Sequence, residues 1–144
     1  MLQILVEAFY VAVYSALGIV LMMLGNYLVD LVVPCCFPEE IKKGNEAVGW
    51  ISAGSFIGIG AILRAAFASP AAAELNDTLL YGLCSSMVYY ILGIVFFILG
   101  YIAILLLNKR YNLNQEIGKG NKAAGIMVCG IFIGLSLLIS GVIA

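Results

Sequence analysis

Four long apolar runs, separated by short polar stretches, make up most of the chain. They extend from about Ala8 to Val33, Ala47 to Ala68, Leu79 to Leu107, and Ala123 to Ala144. At ~1.5 Å per residue, about 20 helical residues cross a ~30 Å hydrocarbon core, so each run predicts one transmembrane helix. The first and third runs exceed that length and are expected to tilt or to protrude. Pro34-Cys35-Cys36-Phe37-Pro38 stops the first helix. Pro38 can then open a short helix with Glu39 and Glu40 in its first turn and Lys42 and Lys43 at its end, an order that suits the helix dipole. Gly44 ends this helix, and Asn45 caps the one that follows.

This polar lead-in occurs twice. Glu40 to Ile59 reads EIKKGNEAVGWISAGSFIGI and Glu116 to Leu135 reads EIGKGNKAAGIMVCGIFIGL, so a shift of 76 residues superimposes them with 11 identities in 20 positions. Such self-similarity marks an internal repeat. The fold expected is an all-α membrane protein whose four transmembrane helices form two tandem, parallel two-helix repeats. Residues 1–68 are the first repeat, 69–78 an outer loop and 79–144 the second repeat. Their pseudo-twofold axis is expected along the membrane normal.

Composition narrows the class. The chain of 144 residues is 64% hydrophobic and 10% charged, which places it in lipid. Its net charge of −1 gives no reason to expect nucleic acid as a partner. Histidine is absent, which removes Ser-His-Asp and Cys-His catalysis and imidazole metal sites. The four cysteines include the vicinal pair Cys35-Cys36 but no CxxC spacing, so neither metal nor other cofactor is expected. The first ten residues lack a basic segment, carry Glu7 and lead into a run too long for a signal peptide, so they are expected to stay as part of a span.

Charge placement predicts orientation. Lys42, Lys43, Lys109, Arg110, Lys119 and Lys122 fall beside the first and third loops, and only Arg64 lies toward the other side. The positive-inside rule then puts both repeated loops in the cytoplasm and both termini outside. No loop has room for a separate soluble domain, so activity must reside in the helices, in the cytoplasmic lead-ins or in partners.

Three groups of residues are candidates for function. Asn45 and Asn121, with Glu40, Glu116, Lys43 and Lys119, form a polar rim. The plain account is a pair of N-caps surrounded by solvated charges, and the functional one is a cytoplasmic vestibule or docking site. Gly54, Gly58, Gly130 and Gly134 form a GxxxG in each repeat, and small residues let helix backbones approach in lipid. These four are expected to pack within the bundle, with an oligomer contact or a pore-lining face as alternatives. Glu7 and Arg64, near the outer ends of their spans, could form an ion pair.

The twice-used pattern EIxxGNxAxG, at Glu40-Ile41 with Gly44-Asn45, Ala47 and Gly49, and at Glu116-Ile117 with Gly120-Asn121, Ala123 and Gly125, resembles the YjfL-like bacterial inner-membrane proteins, domain of unknown function 350. The resemblance covers essentially the whole chain and implies tandem two-helix units in the inner membrane. It implies no enzymatic or transport activity to carry over, and hints at membrane-associated partners. The expectation is therefore a self-associating structural or partner-recruiting component of the bacterial inner membrane, not an enzyme. It works in the lipid bilayer as a homo-oligomer with a possible cytoplasmic or membrane protein partner. The alternative is a small homo-oligomeric channel or transporter with a polar cytoplasmic mouth.

Overall fold

The computed structural model describes residues 2–33, 35–69, 79–107 and 112–144. Pro34, most of the expected outer loop, and the basic residues Lys109 and Arg110 lie outside the described residues. Six helices are described: α1 (Leu2–Val32), α2 (Phe37–Lys42), α3 (Glu46–Phe67), α4 (Leu79–Leu107), α5 (Leu113–Gly118) and α6 (Lys122–Ile143). The described residues contain no strand, and α1, α3, α4 and α6 are each long and apolar enough to cross a membrane. The short helices α2 and α5 begin 76 residues apart (113 − 37), as do α3 and α6 (122 − 46).

Local chemistry explains the breaks. The Asp30 carboxylate, in the last turn of α1, accepts the Phe37 backbone N–H at 2.7 Å and holds the start of α2 against α1. Gly44 and Gly120 end the short helices with φ of +78°, a left-handed conformation that L side chains rarely adopt. The chain then turns directly into α3 and α6.

The centre of the bundle is the parallel pair α3 and α6. A Cβ at Gly54 would lie 2.7 Å from Cys129 Cα, and one at Gly125 would lie 2.5 Å from Ala47 Cα. Both positions therefore require glycine for the backbones to meet. Phe132 of α6 is fully buried and stacks near Phe97 and Tyr101 of α4, with ring centroids 4.9 and 5.0 Å away. Helix α4 lies against both α3 and α6, with Gly93 under Ile62 and Gly100 under Leu135. Helix α1 packs chiefly on α3, where Gly18 meets the Phe67 ring, and is tied to α4 by the Tyr90 hydroxyl donating to Leu21 O at 2.6 Å.

Half of the expected glycine packing is different. Gly54 and Gly58 are buried between helices, whereas Gly130, Gly134 and Gly141 have nothing within 4 Å of a Cβ built on them. The reason is the rotation of α6, which turns Gly125, Cys129 and Phe132 toward its neighbours and the GxxxG outward.

The first prediction follows from the α3–α6 approach. Gly54→Leu forces the side chain into Cys129 backbone and is expected to destabilise the detergent-solubilised protein by about 1–3 kcal/mol or more. Gly118→Ala, in open space, is expected to leave the thermal unfolding midpoint nearly unchanged.

Candidate functional site

At the shared N-terminal end of α3 and α6 the two lead-ins converge on an open polar groove. It is lined by Glu40, Lys43, Gly44, Asn45 and Glu46 from one segment and by Gly118, Lys119, Gly120 and Lys122 from the other. Asn45 is its organising residue. The Asn45 side-chain oxygen accepts the Val48 N–H at 3.2 Å, capping α3, while Nδ2 donates to Glu40 at 3.0 Å and to the Ile117 carbonyl at 3.1 Å. The last bond joins residues 72 apart and locks the end of α5 to the start of α3.

Asn121 occupies the matching place in the second lead-in but does less. Its oxygen accepts the Ala123 N–H at 3.1 Å and its Nδ2 donates to Glu116 at 2.8 Å. Both bonds stay within the second lead-in, and Asn121 stands exposed outside the groove lining. Of the six rim candidates, Asn45, Glu40, Lys43 and Lys119 line the groove, while Asn121 and Glu116 do not.

The charges are satisfied in pairs. Lys43 bonds Glu40 at 2.7 Å, Lys119 bonds Glu116 at 3.0 Å, and Lys122 bonds Glu46 at 2.7 Å. The third pair crosses between α3 and α6 and was not among the candidates. Its signal was present in the sequence: positions 46 and 122 correspond under the 76-residue shift and carry opposite charges. Hydrogen bonds from Lys43 and Asn45 hold the Glu40 carboxyl below its ordinary value of 4.5, and those from Asn121 and Lys119 do the same for Glu116. Lys43 is raised in turn by Glu40. Carboxylates held ionised do not donate protons at neutral pH, so this groove is built to present fixed charges and hydrogen-bonding groups.

Beside the groove, burial pushes the Cys35 thiol up to about 11, with Glu40, Asp30 and Cys36 adding to the effect. That thiol is protonated at neutral pH and is a poor nucleophile. Among the described residues no group of three or more Cys, Asp or Glu converges as a metal site would require.

Glu7 and Arg64 do not meet. Among the described residues the ion pairs are the three at the groove end. Gly18 lies at the level of Phe67, the last residue of α3, so Glu7 sits eleven residues farther along α1, about 16 Å at ~1.5 Å per residue. Arg64 instead lines an apolar groove with Tyr14, Gly18 and Phe67.

Two predictions follow. Asn45→Ala removes a cap, the bond to Glu40 and the bond to Ile117, whereas Asn121→Ala removes a cap and the bond to Glu116. Each cap is worth ~1 kcal/mol and a further hydrogen bond ~1 kcal/mol, so Asn45→Ala is expected to be the more destabilising in thermal unfolding in detergent. Because the folded values of Glu40 and Glu116 are depressed, their stabilisation is present above the unfolded carboxylate value and is lost as pH falls through the folded one. Unfolding midpoints measured from pH 7 down to below 4 are expected to fall in the wild type and to fall less in a Glu40→Gln, Glu116→Gln variant.

Comparison with known proteins finds bacterial transmembrane proteins of similar sequence. The UPF0719 transmembrane protein of Aquifex aeolicus (strain VF5) is 23% identical over 130 residues, covering 90% of this chain and 47% of the relative, so the chain spans about half the length of that protein. The UPF0719 transmembrane protein YshE of Bacillus subtilis (strain 168) is 26% identical over 134 residues, covering 93% of this chain and 92% of the relative. No solved structure matches. With four helices fit to cross a bilayer and relatives of this kind, the chain is a multi-pass transmembrane protein. The family model described as Domain of Unknown Function (DUF350) matches residues 2–143, and the chain belongs to that family.

Proposed function

We propose that the protein is a self-associating structural component of the bacterial inner membrane that recruits a protein partner at its polar groove. Both termini lie outside and the groove faces the cytoplasm. The orientation is supported by six Lys and Arg on the groove side against Arg64 alone on the other. Recruitment is supported above all by the groove itself, in which the two lead-ins are stitched by the Asn45 to Ile117 bond and every carboxylate in the lining bonds an ammonium. Pre-paired charges around the capped starts of α3 and α6 form a surface whose pattern a soluble segment of mixed charge can match. The protein is not an enzyme in this reading: the groove supplies neither an activated nucleophile nor a base poised near neutral pH.

Gly118→Cys in a cysteine-free background tests the orientation. A water-soluble thiol reagent is expected to label it in inverted vesicles and not in sealed cells, and labelling of sealed cells overturns the cytoplasmic placement. A photo-crosslinker at the same position is expected to capture one protein at a fixed ratio, with loss of the adduct in a Lys43→Glu, Lys119→Glu variant. Adducts to lipid alone, or adducts indifferent to both reversals, overturn recruitment at the groove.

A further inference from the structure

The α3–α6 contact is made once within the chain, yet the repeat supplies the parts for it twice. Inside the chain, Ala47 backbone meets Gly125, Gly54 meets Cys129, and Gly58 meets the Phe132 carbonyl. Shifted by 76 residues, the same three pairings read Ala123 with Gly49, Gly130 with Ala53, and Gly134 with Phe56. A twofold arrangement of the repeats would form both sets at once. None of the second set is formed: Gly49, Gly130 and Gly134 each have nothing within 4 Å, and Ala53, Phe56 and Ala123 are exposed. The intramolecular interface is therefore heterologous, and each half of a second, equivalent interface is left open, one on α3 and the other on α6.

The polar end repeats the logic. Asn45 bonds the Ile117 carbonyl and lies 3.7 Å from a Cβ position on Gly120. The corresponding elements, Asn121 with Ile41 and Gly44, are unjoined, and Ile41 is 48% exposed where Ile117 is 1% exposed. The cross-helix ion pair corresponds to itself under the shift, because Glu46 and Lys122 exchange places. Within the chain this pair already joins α3 to α6, and both side chains remain more than half exposed. A shallow groove lined by Glu46, Gly49, Trp50 and Ala53 already marks the place on α3 where Ala123 would sit.

We propose that a second copy of this chain docks head to tail, placing its α3 face of Gly49, Ala53 and Phe56 on the α6 face of Ala123, Gly130 and Gly134. The proposal rests on the self-association in the preceding reading and names its surface. The open and occupied faces lie on opposite sides of each helix, since Gly58 and Gly49, like Gly134 and Gly125, are nine residues or about two and a half turns apart. A heterologous contact with opposed faces does not stop at two chains. It continues α3, α6, α3, α6 into a row or ring lying in the membrane plane.

Cysteine pairing in native membranes tests this. In a background with Cys35, Cys36, Cys84 and Cys129 replaced, a chain carrying both Ala53→Cys and Gly130→Cys is exposed to a membrane-permeant oxidant. A ladder of disulfide-linked multimers is expected from the double variant and only monomer from either single one. Adding Gly134→Leu, which has free space in the isolated chain, is expected to abolish the ladder while leaving the detergent unfolding midpoint unchanged. Covalent dimers from Gly130→Cys alone, or a ladder that survives Gly134→Leu, overturn the head-to-tail surface. Subunit counting by single-molecule photobleaching in membranes separates the two readings. Oligomers without a 53-to-130 disulfide overturn this interface and leave self-association standing, whereas monomers alone overturn both.

Discussion

The backbone approach of α3 to α6 is the contact on which the rest of the bundle depends. Lipid tails are as apolar as leucine, so helices in a bilayer gain little from hiding side chains and must gain from close packing instead. Gly54 beneath Cys129 and Gly125 beneath Ala47 allow that packing, because each leaves out the one carbon that would hold the backbones apart. With the two helix starts brought side by side, Asn45 can cap its own helix and still reach the Ile117 carbonyl of the other lead-in. The polar groove is thus a consequence of an apolar contact that begins in the first turn of α3, directly beneath it.

What the sequence made legible depends on local chemistry. Span positions follow from run length, the first short helix from Pro38 and the charges after it, the second lead-in from its likeness to the first, and the ends of both from Gly44 and Gly120, whose φ of +78° no neighbouring contact is needed to explain. The caps at Asn45 and Asn121 are equally local. Rotation about the helix axis is not. Helix α6 is apolar on every side and offers two small-residue stripes, so hydropathy has no way to choose between Gly125 and Gly130 as the packed one. The choice is made by Phe132, which fits between Phe97 and Tyr101 only when α6 is turned as it is. The pairing of Glu7 with Arg64 fails for a similarly non-local reason, since the register of α1 on α3 is set by Gly18 and Phe67.

Near-identical lead-ins end in unlike surroundings. Glu40 and Glu116 each hold a lysine three residues on and an asparagine five residues on, so the two segments are alike as isolated pieces of chain. Of the two asparagines only Asn45 adds a bond across the repeat, and α3 is more deeply buried among the helices than α6. Two equal units joined by one asymmetric contact cannot have equal environments. The difference between Asn45 and Asn121 therefore arises from assembly and not from the residues themselves.

The same physics bears on the faces left over. A glycine stripe facing lipid forfeits the dense backbone contacts that a facing helix would provide, and acyl chains that keep moving replace them poorly. Gly54 and Gly58 have escaped that condition by meeting α6 and α4, while Gly130 and Gly134 have not. Since Ala47, Gly54 and Gly58 suffice to bring a second backbone to within van der Waals contact in one chain, their counterparts on α6 carry the same capacity toward a helix of matching shape. Such a helix surface exists on the protein itself, at Gly49, Ala53 and Phe56, and it too faces outward. Confinement to the membrane plane restricts both surfaces to one orientation and so lowers the entropy lost when they meet.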